Sequence, residues 1–176
     1  LEQMFAGEFK GNLKETYHML IRNSKRLLQL INQLLDLSKL EAGRMTLVAR
    51  PLDIIRLLKA LVQSFSSLAE RKKITLTFKA EEESIIVYVD KDKLEKIVLN
   101  LLSNAFKFTN HGGKVSFVSE LIIRNDKTDT QKLNDLLRIT IKDTGIGIPA
   151  DKIDKVFDRF YQVEGSSKRD YEGTGI

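Results

Sequence analysis

Residues 94–109 read L-E-K-I-V-L-N-L-L-S-N-A-F-K-F-T, and the arrangement of their polar side chains decides the fold. Neither Pro nor Gly interrupts the run, and Asp90 or Asp92 just before it can cap a helix reaching about Phe108. Leu94, Ile97, Val98, Leu101, Leu102 and Ala105 then form its apolar face. Asn100, Asn104 and Lys107 fall at i, i+4 and i+7, within roughly 60° of one another at 3.6 residues per turn. On this reading the polar stripe borders the apolar face. Asn in a helix interior costs about 0.5–0.7 kcal/mol relative to Ala, so two of them beside a core need a compensating partner. An internal hydrogen-bond network would supply it, and so would a bound polar ligand. An amide oxygen suits a hard cation such as Mg²⁺, and a neighbouring ammonium suits phosphates.

A second stretch, D-T-G-I-G-I-P at residues 143–149, follows the alternating run L-L-R-I-T-I-K. Leu137, Ile139 and Ile141 face one side of that strand, with Arg138, Thr140 and Lys142 on the other. The loop matches the dinucleotide pattern G-x-G-x-x-A, but Pro149 lies inside it and the strand comes late in the chain. No G-K-[ST] follows, which excludes a P-loop. A plain glycine turn between strand and helix stays open beside a ligand loop.

The remainder frames these two stretches. The chain has 176 residues, of which 42% are hydrophobic and 30% charged, enough for a real core and a polar surface. A net charge of +5, with cations spread among acids, argues against nucleic-acid binding. The absence of cysteine excludes disulfides and thiolate metal sites. No apolar run approaches the roughly 20 residues that span a bilayer. Residues 13–42 form a long helix in which Leu13, Leu20, Leu27 and Leu34 recur at heptad spacing, with Gly43 ending it. Residues 5–12 read as a turn, which makes the long helix one half of an antiparallel hairpin. Pro51 and Asp53 open a second helix through Leu68, followed by strands at residues 74–79 and 85–89. A strand from Lys114 and the strand before the glycine loop come next. Ile153, Val156 and Phe157 mark a short helix, and a polar, glycine-punctuated flap closes the chain. The order α-β-β-α-β-β-α predicts an α+β two-layer sandwich.

Taken together, the motifs resemble those of sensor histidine kinases. Residues 94–109 look like the N box, D-T-G-I-G-I-P the G1 box, F-D-R-F-Y (157–161) the F box, and G-T-G-I (173–176) the start of the G2 box. L-L-D-L-S-K-L-E-A-G (34–43) resembles the close of the family's dimerisation hairpin, and the phrasing is nearest to hybrid two-component sensors. The resemblance implies residues 1–43 as the later part of that hairpin and residues 44–176 as the ATP-binding domain, cut within the G2 box. It implies Asn104 as the Mg²⁺ ligand, with Asn100 supporting metal and phosphates and Lys107 reaching the phosphates. Phe108 and Ile148 would line the nucleotide pocket, and Asp143 would read the adenine amine. Gly145 and Gly147 would allow close approach and hinging. Arg159 would neutralise the γ-phosphate, joining Asn100 and Lys107 as the catalytic set. Phe157 and Phe160 would anchor the flap, and Gly173, Thr174 and Gly175 would close over the phosphates.

The resemblance also implies partners and place. These are ATP and Mg²⁺, a homodimer through the hairpin, and a response-regulator receiver domain in the same chain or another. Neither nucleic acid nor membrane would touch these residues, which would form the cytoplasmic portion of a membrane-anchored bacterial sensor. Gyrase-type relatives carry a water-activating Glu where this chain has Asn100, and an amide cannot act as general base. Transfer to a protein is therefore expected over hydrolysis. Three departures bear on activity. The family's H-E-x-R-T-P acceptor box is absent, so the phosphoacceptor is expected upstream of Leu1 and these residues alone are expected to be inactive. His18 and His111 lack its neighbours and read as a helix-surface and a turn residue. Gln162 stands where many members have a second basic residue. A non-catalytic dimerising nucleotide sensor or scaffold is the alternative, with a gyrase- or chaperone-like ATPase behind it.

Overall fold

A computed structural model describes residues 12–122, 136–158 and 161. The chain divides into two compact units, Leu47–Ile153 and Leu1–Thr46 together with Asp154–Ile176.

The second of these carries helix α1, Leu13–Glu41. Asn12 caps it by accepting the backbone N–H of Lys14 at 3.1 Å, and Gly43 follows its end at φ +62°. No residue of α1 is buried. Of the heptad leucines, Leu13, Leu27 and Leu34 are exposed and Leu20 is half-buried, so most of the apolar seam is open among the described residues.

Leu47–Ile153 holds two sheets. Strands β1 (Arg50–Asp53) and β3 (Ile86–Val89) pair antiparallel, with Pro51 opposite Tyr88. Strand β4 (Lys114–Ile122) lies between β2 (Thr75–Ala80), which it pairs in parallel, and β5 (Leu136–Asp143), which it pairs antiparallel. Helices α2 (Ile54–Gln63), α3 (Ser66–Lys72) and α4 (Lys91–Phe108) supply the second layer. Helix α2 packs against α4 and β2, α3 against β2, and α4 against β5. Period-two alternation sends Leu76 and Phe78 of β2, Val115 and Phe117 of β4, and Ile139 and Ile141 of β5 into the core. They meet Ile54, Leu58 and Val62 of α2 and Val98, Leu102, Ala105 and Phe106 of α4. The α+β two-layer expectation holds.

Four local expectations are corrected. Pro51 does not open a helix; it sits in β1, whose only partner strand among the described residues is β3, where a missing amide is tolerated. Helix α2 begins at Ile54 with Asp53 as its cap, Asp53 accepting the Arg56 N–H at 3.3 Å and the Ser84 hydroxyl at 2.9 Å. The single helix expected through Leu68 is two, broken at Ser64 and Phe65, where the Ser64 hydroxyl donates to the Leu61 carbonyl at 2.6 Å. The short helix expected around Ile153–Phe157 is a 3₁₀ turn, Ala150–Lys155, with no buried residue, and Phe157 is 92% exposed. Finally, Ile97 and Leu101 do not face the core: they are 56% and 46% exposed, and Phe106 takes the buried place instead.

The cap of α4 is Asp90. One carboxylate oxygen accepts the Lys93 N–H at 3.1 Å, and the other accepts the Val48 N–H at 3.0 Å. It thereby ties the segment entering β1 to the start of α4. These bonds, Val48 first, hold the Asp90 carboxyl below its ordinary value, against a smaller opposing effect of desolvation. A carboxylate with a depressed folded pKa contributes stability above its unfolded pKa of about 3.9, lost as pH falls through the folded value. Asp90→Asn is thus expected to lower the urea midpoint at pH 7, with the difference from the parent chain closing once pH drops below the depressed folded value. A difference that persists unchanged at that pH would refute the charge-based account.

Candidate functional site

Helix α4 and the loop after β5 build the site. Taking Leu102 as the centre of the buried face, Asn100, Asn104 and Lys107 lie about 140–160° away at 100° per residue. The polar stripe therefore opposes the core instead of bordering it, with the exposed Ile97 and Leu101 beside it. Asn100 and Asn104 are exposed and Lys107 half-buried. Two amides on the open side need no internal network, which removes the structural reason given for them above. They remain free to meet a ligand from outside.

At its C-terminal end α4 meets the glycine loop. A Cβ built on Gly145 would lie 2.6 Å from the carbonyl oxygen of Phe108 and 2.8 Å from Oδ1 of Asp143. Only a hydrogen side chain fits there. Asp143 Oδ1 accepts the Gly145 N–H at 2.8 Å, an Asx-type turn that fixes the carboxylate. Its second oxygen keeps acceptor capacity for a ligand. Gly147 differs: its φ of +70° is the left-handed region, and a Cβ there would meet nothing within 4 Å. Ile146 and Ile148 are exposed at 66% and 52%. Phe108 is half-buried, and the Lys107 ammonium stands 4.9 Å from its ring centroid.

The fold thus seats Gly145 against Phe108 with Asp143 bonded to the Gly145 N–H, and it aligns Asn100, Asn104 and Lys107 along one helix side. Arg159, Phe160, Gly173, Thr174 and Gly175, with Gln162, lie outside the described residues. His18 is an exposed helix residue beside Tyr17, and His111 an exposed turn residue. Thr144 was missed by sequence reasoning. Its hydroxyl accepts the Lys114 N–H at 2.9 Å and its own N–H donates to the Lys114 carbonyl at 3.1 Å, locking the loop to the start of β4. A hydroxyl residue directly after the acid was the available signal.

Among the described residues no group of three or more His, Cys, Asp or Glu side chains could hold a metal. The amide oxygens of Asn100 and Asn104 suit a cation that takes one or two protein ligands and completes its shell with phosphate and water.

A two-layer α+β domain with an amide-bearing helix and an acid–glycine loop at its end is the architecture of one ATPase class. The model of the histidine kinase-, DNA gyrase B- and HSP90-like ATPase family matches residues 89–176. Hybrid signal transduction histidine kinase D of Dictyostelium discoideum is 35% identical over 165 residues, covering 94% of this chain and 10% of that protein. Sensor histidine kinase TmoS of Ectopseudomonas mendocina is 37% identical over 160 residues, 91% of this chain and 15% of that protein. The full-length ShkA structure in complex with AMPPNP superposes with a TM-score of 0.69 at 28% identity, covering 88% of this chain and 31% of that one. The chain belongs to this ATPase family, as a domain of the sensor histidine kinase type. It spans only about a tenth to a seventh of the length of the two kinases named.

Proposed function

We propose that this chain is the ATP-binding catalytic core of a sensor histidine kinase of the hybrid two-component type. The observation that carries the reading is the seating of Gly145 on the Phe108 carbonyl, which joins the Asp143 loop to the helix bearing Asn100, Asn104 and Lys107. Asp143 accepts the exocyclic amine of adenine, and Phe108 and Ile148 flank the base. Asn104 offers its amide oxygen to Mg²⁺, Asn100 supports metal and phosphates one turn earlier, and Lys107 meets the phosphates. Bound Mg²⁺ would neutralise phosphate charge as it develops. Arg159, Phe160 and the Gly173–Thr174–Gly175 segment complete the flap in this proposal. The γ-phosphorus exchanges its bond to the bridging oxygen of ADP for a bond to an imidazole nitrogen of an acceptor His, which the proposal places upstream. The phosphoryl group then passes to an Asp of a response-regulator receiver domain.

Asn100 supports transfer over hydrolysis, since its amide cannot deprotonate water. The exposed heptad seam of α1 supports homodimerisation through the hairpin. Residues 1–43 are assigned to that hairpin and residues 44–176 to the catalytic domain; a compact unit that starts at Leu47 supports the first boundary, although that unit ends at Ile153. A membrane anchor outside these residues completes the proposal.

Calorimetric titration with Mg-ATP tests the site. Asn104→Ala is expected to weaken binding about tenfold, while binding measured in EDTA changes far less, because the lost ligand acts through the metal. Equal loss with and without Mg²⁺ would overturn the metal role. Steady ATP hydrolysis by the chain would favour the gyrase-like ATPase reading.

A further inference from the structure

We infer that Lys72, at the end of α3, is a positioning residue of the nucleotide site. The inference rests on the site proposed above. The last carbonyls of a helix have no partner within it. In α4 the Ala105 carbonyl is satisfied by the Thr109 N–H at 3.0 Å. The next one, of Phe106, accepts the ammonium of Lys72 at 2.6 Å, across 34 residues of sequence. A cation on that carbonyl is a charge-assisted bond at the negative end of the helix dipole. Immediately beyond stand Lys107 and then Phe108, whose carbonyl seats Gly145. The ammonium therefore fixes the turn from which both halves of the site project.

The backbone around Lys72 is laced to the same place. Its carbonyl accepts the Gly112 N–H at 3.3 Å, and the Thr75 N–H donates to the Gly113 carbonyl at 2.9 Å. Lys73 stops α3 at once, with φ +51°, in the left-handed region that a non-glycine residue rarely adopts. Lys72 is half-buried, so its methylene stem packs while only the head reaches the carbonyl. Nothing in this arrangement touches a ligand. Lys72 acts through α4.

Two measurements on the 176-residue chain test it. In Lys72→Met the stem remains and the head is lost; Mg-ATP affinity is expected to fall about fivefold, and Lys72→Arg to recover most of it. In the same variants without nucleotide, amide exchange is expected to quicken at Thr109 and Gly145 in Lys72→Met, revert in Lys72→Arg, and stay unchanged at Phe117. Exchange at Thr109 and Gly145 equal to that of the parent would overturn the inference. So would a rise spread evenly over β4, which would indicate general loosening. If the parent chain bound no nucleotide, the proposed function would fail, while the exchange pattern would still decide whether Lys72 holds the end of α4.

Discussion

Phe106→Ala is expected to destabilise the chain by about 3–5 kcal/mol, the cost of emptying a fully buried aromatic site. Phe106 is 1% exposed, and its ring stacks on Phe65 with centroids 5.1 Å apart and planes 22° from parallel. Phe65 sits in the break between α2 and α3, so this one contact joins both helices to α4. A domain with about 5–15 kcal/mol of total stability would be left close to unfolding. Urea denaturation provides the measurement: the midpoint should fall steeply with an unchanged slope. Phe157→Ala, at a ring 92% exposed, should stay within about 0.5 kcal/mol of the parent and serves as the control. A loss below about 1.5 kcal/mol for Phe106→Ala would mean that the core tolerates the gap and that the stack does not organise it.

What could be read from the sequence divides along the range of the forces involved. The spacing of Asn100, Asn104 and Lys107 follows from the helical period alone, so their common side was legible from residue numbers. The core side was largely legible too, since Val98, Leu102 and Ala105 of the expected apolar face are buried, but its edges were not. Ile97, Leu101 and Phe106 are all apolar, and only packing against Phe65 and the sheet selects Phe106 for burial. Pro51 was misread for a similar reason, since its missing amide is as well tolerated in an edge strand as at a helix start. The period-two strands were legible because alternation is a local signal. The cap of α4 was narrowed to Asp90 or Asp92, yet its second bond, to Val48, spans 42 residues and leaves no local trace. The Lys72 contact and the seat of Gly145 are likewise long-range. The glycines of the loop were legible as glycines; why each is needed depends on atoms from a helix some forty residues earlier.

That distinction separates the two loop glycines experimentally. Gly145→Val is expected to reduce Mg-ATP affinity about a hundredfold, near 2.7 kcal/mol. Even the first carbon of the new side chain would fall 2.6 Å from the Phe108 oxygen and 2.8 Å from Asp143 Oδ1. The first obstacle is backbone at the end of a helix anchored in the core. The second is a carboxylate held by the Gly145 N–H itself. Neither can swing aside as a flexible side chain would, so the loop must lift and carry Asp143 away from the base. Thr144, bonded twice to Lys114, resists that shift and raises its cost. Gly147→Ala meets no atom within 4 Å and bears only left-handed strain, about 1–2 kcal/mol, confined to the loop tip. Its effect on affinity should stay below tenfold. Calorimetry on the two variants reads the contrast directly. Equal losses would make backbone freedom the common requirement of the loop, whereas the expected order makes contact with Phe108 the feature that sets the position of Asp143.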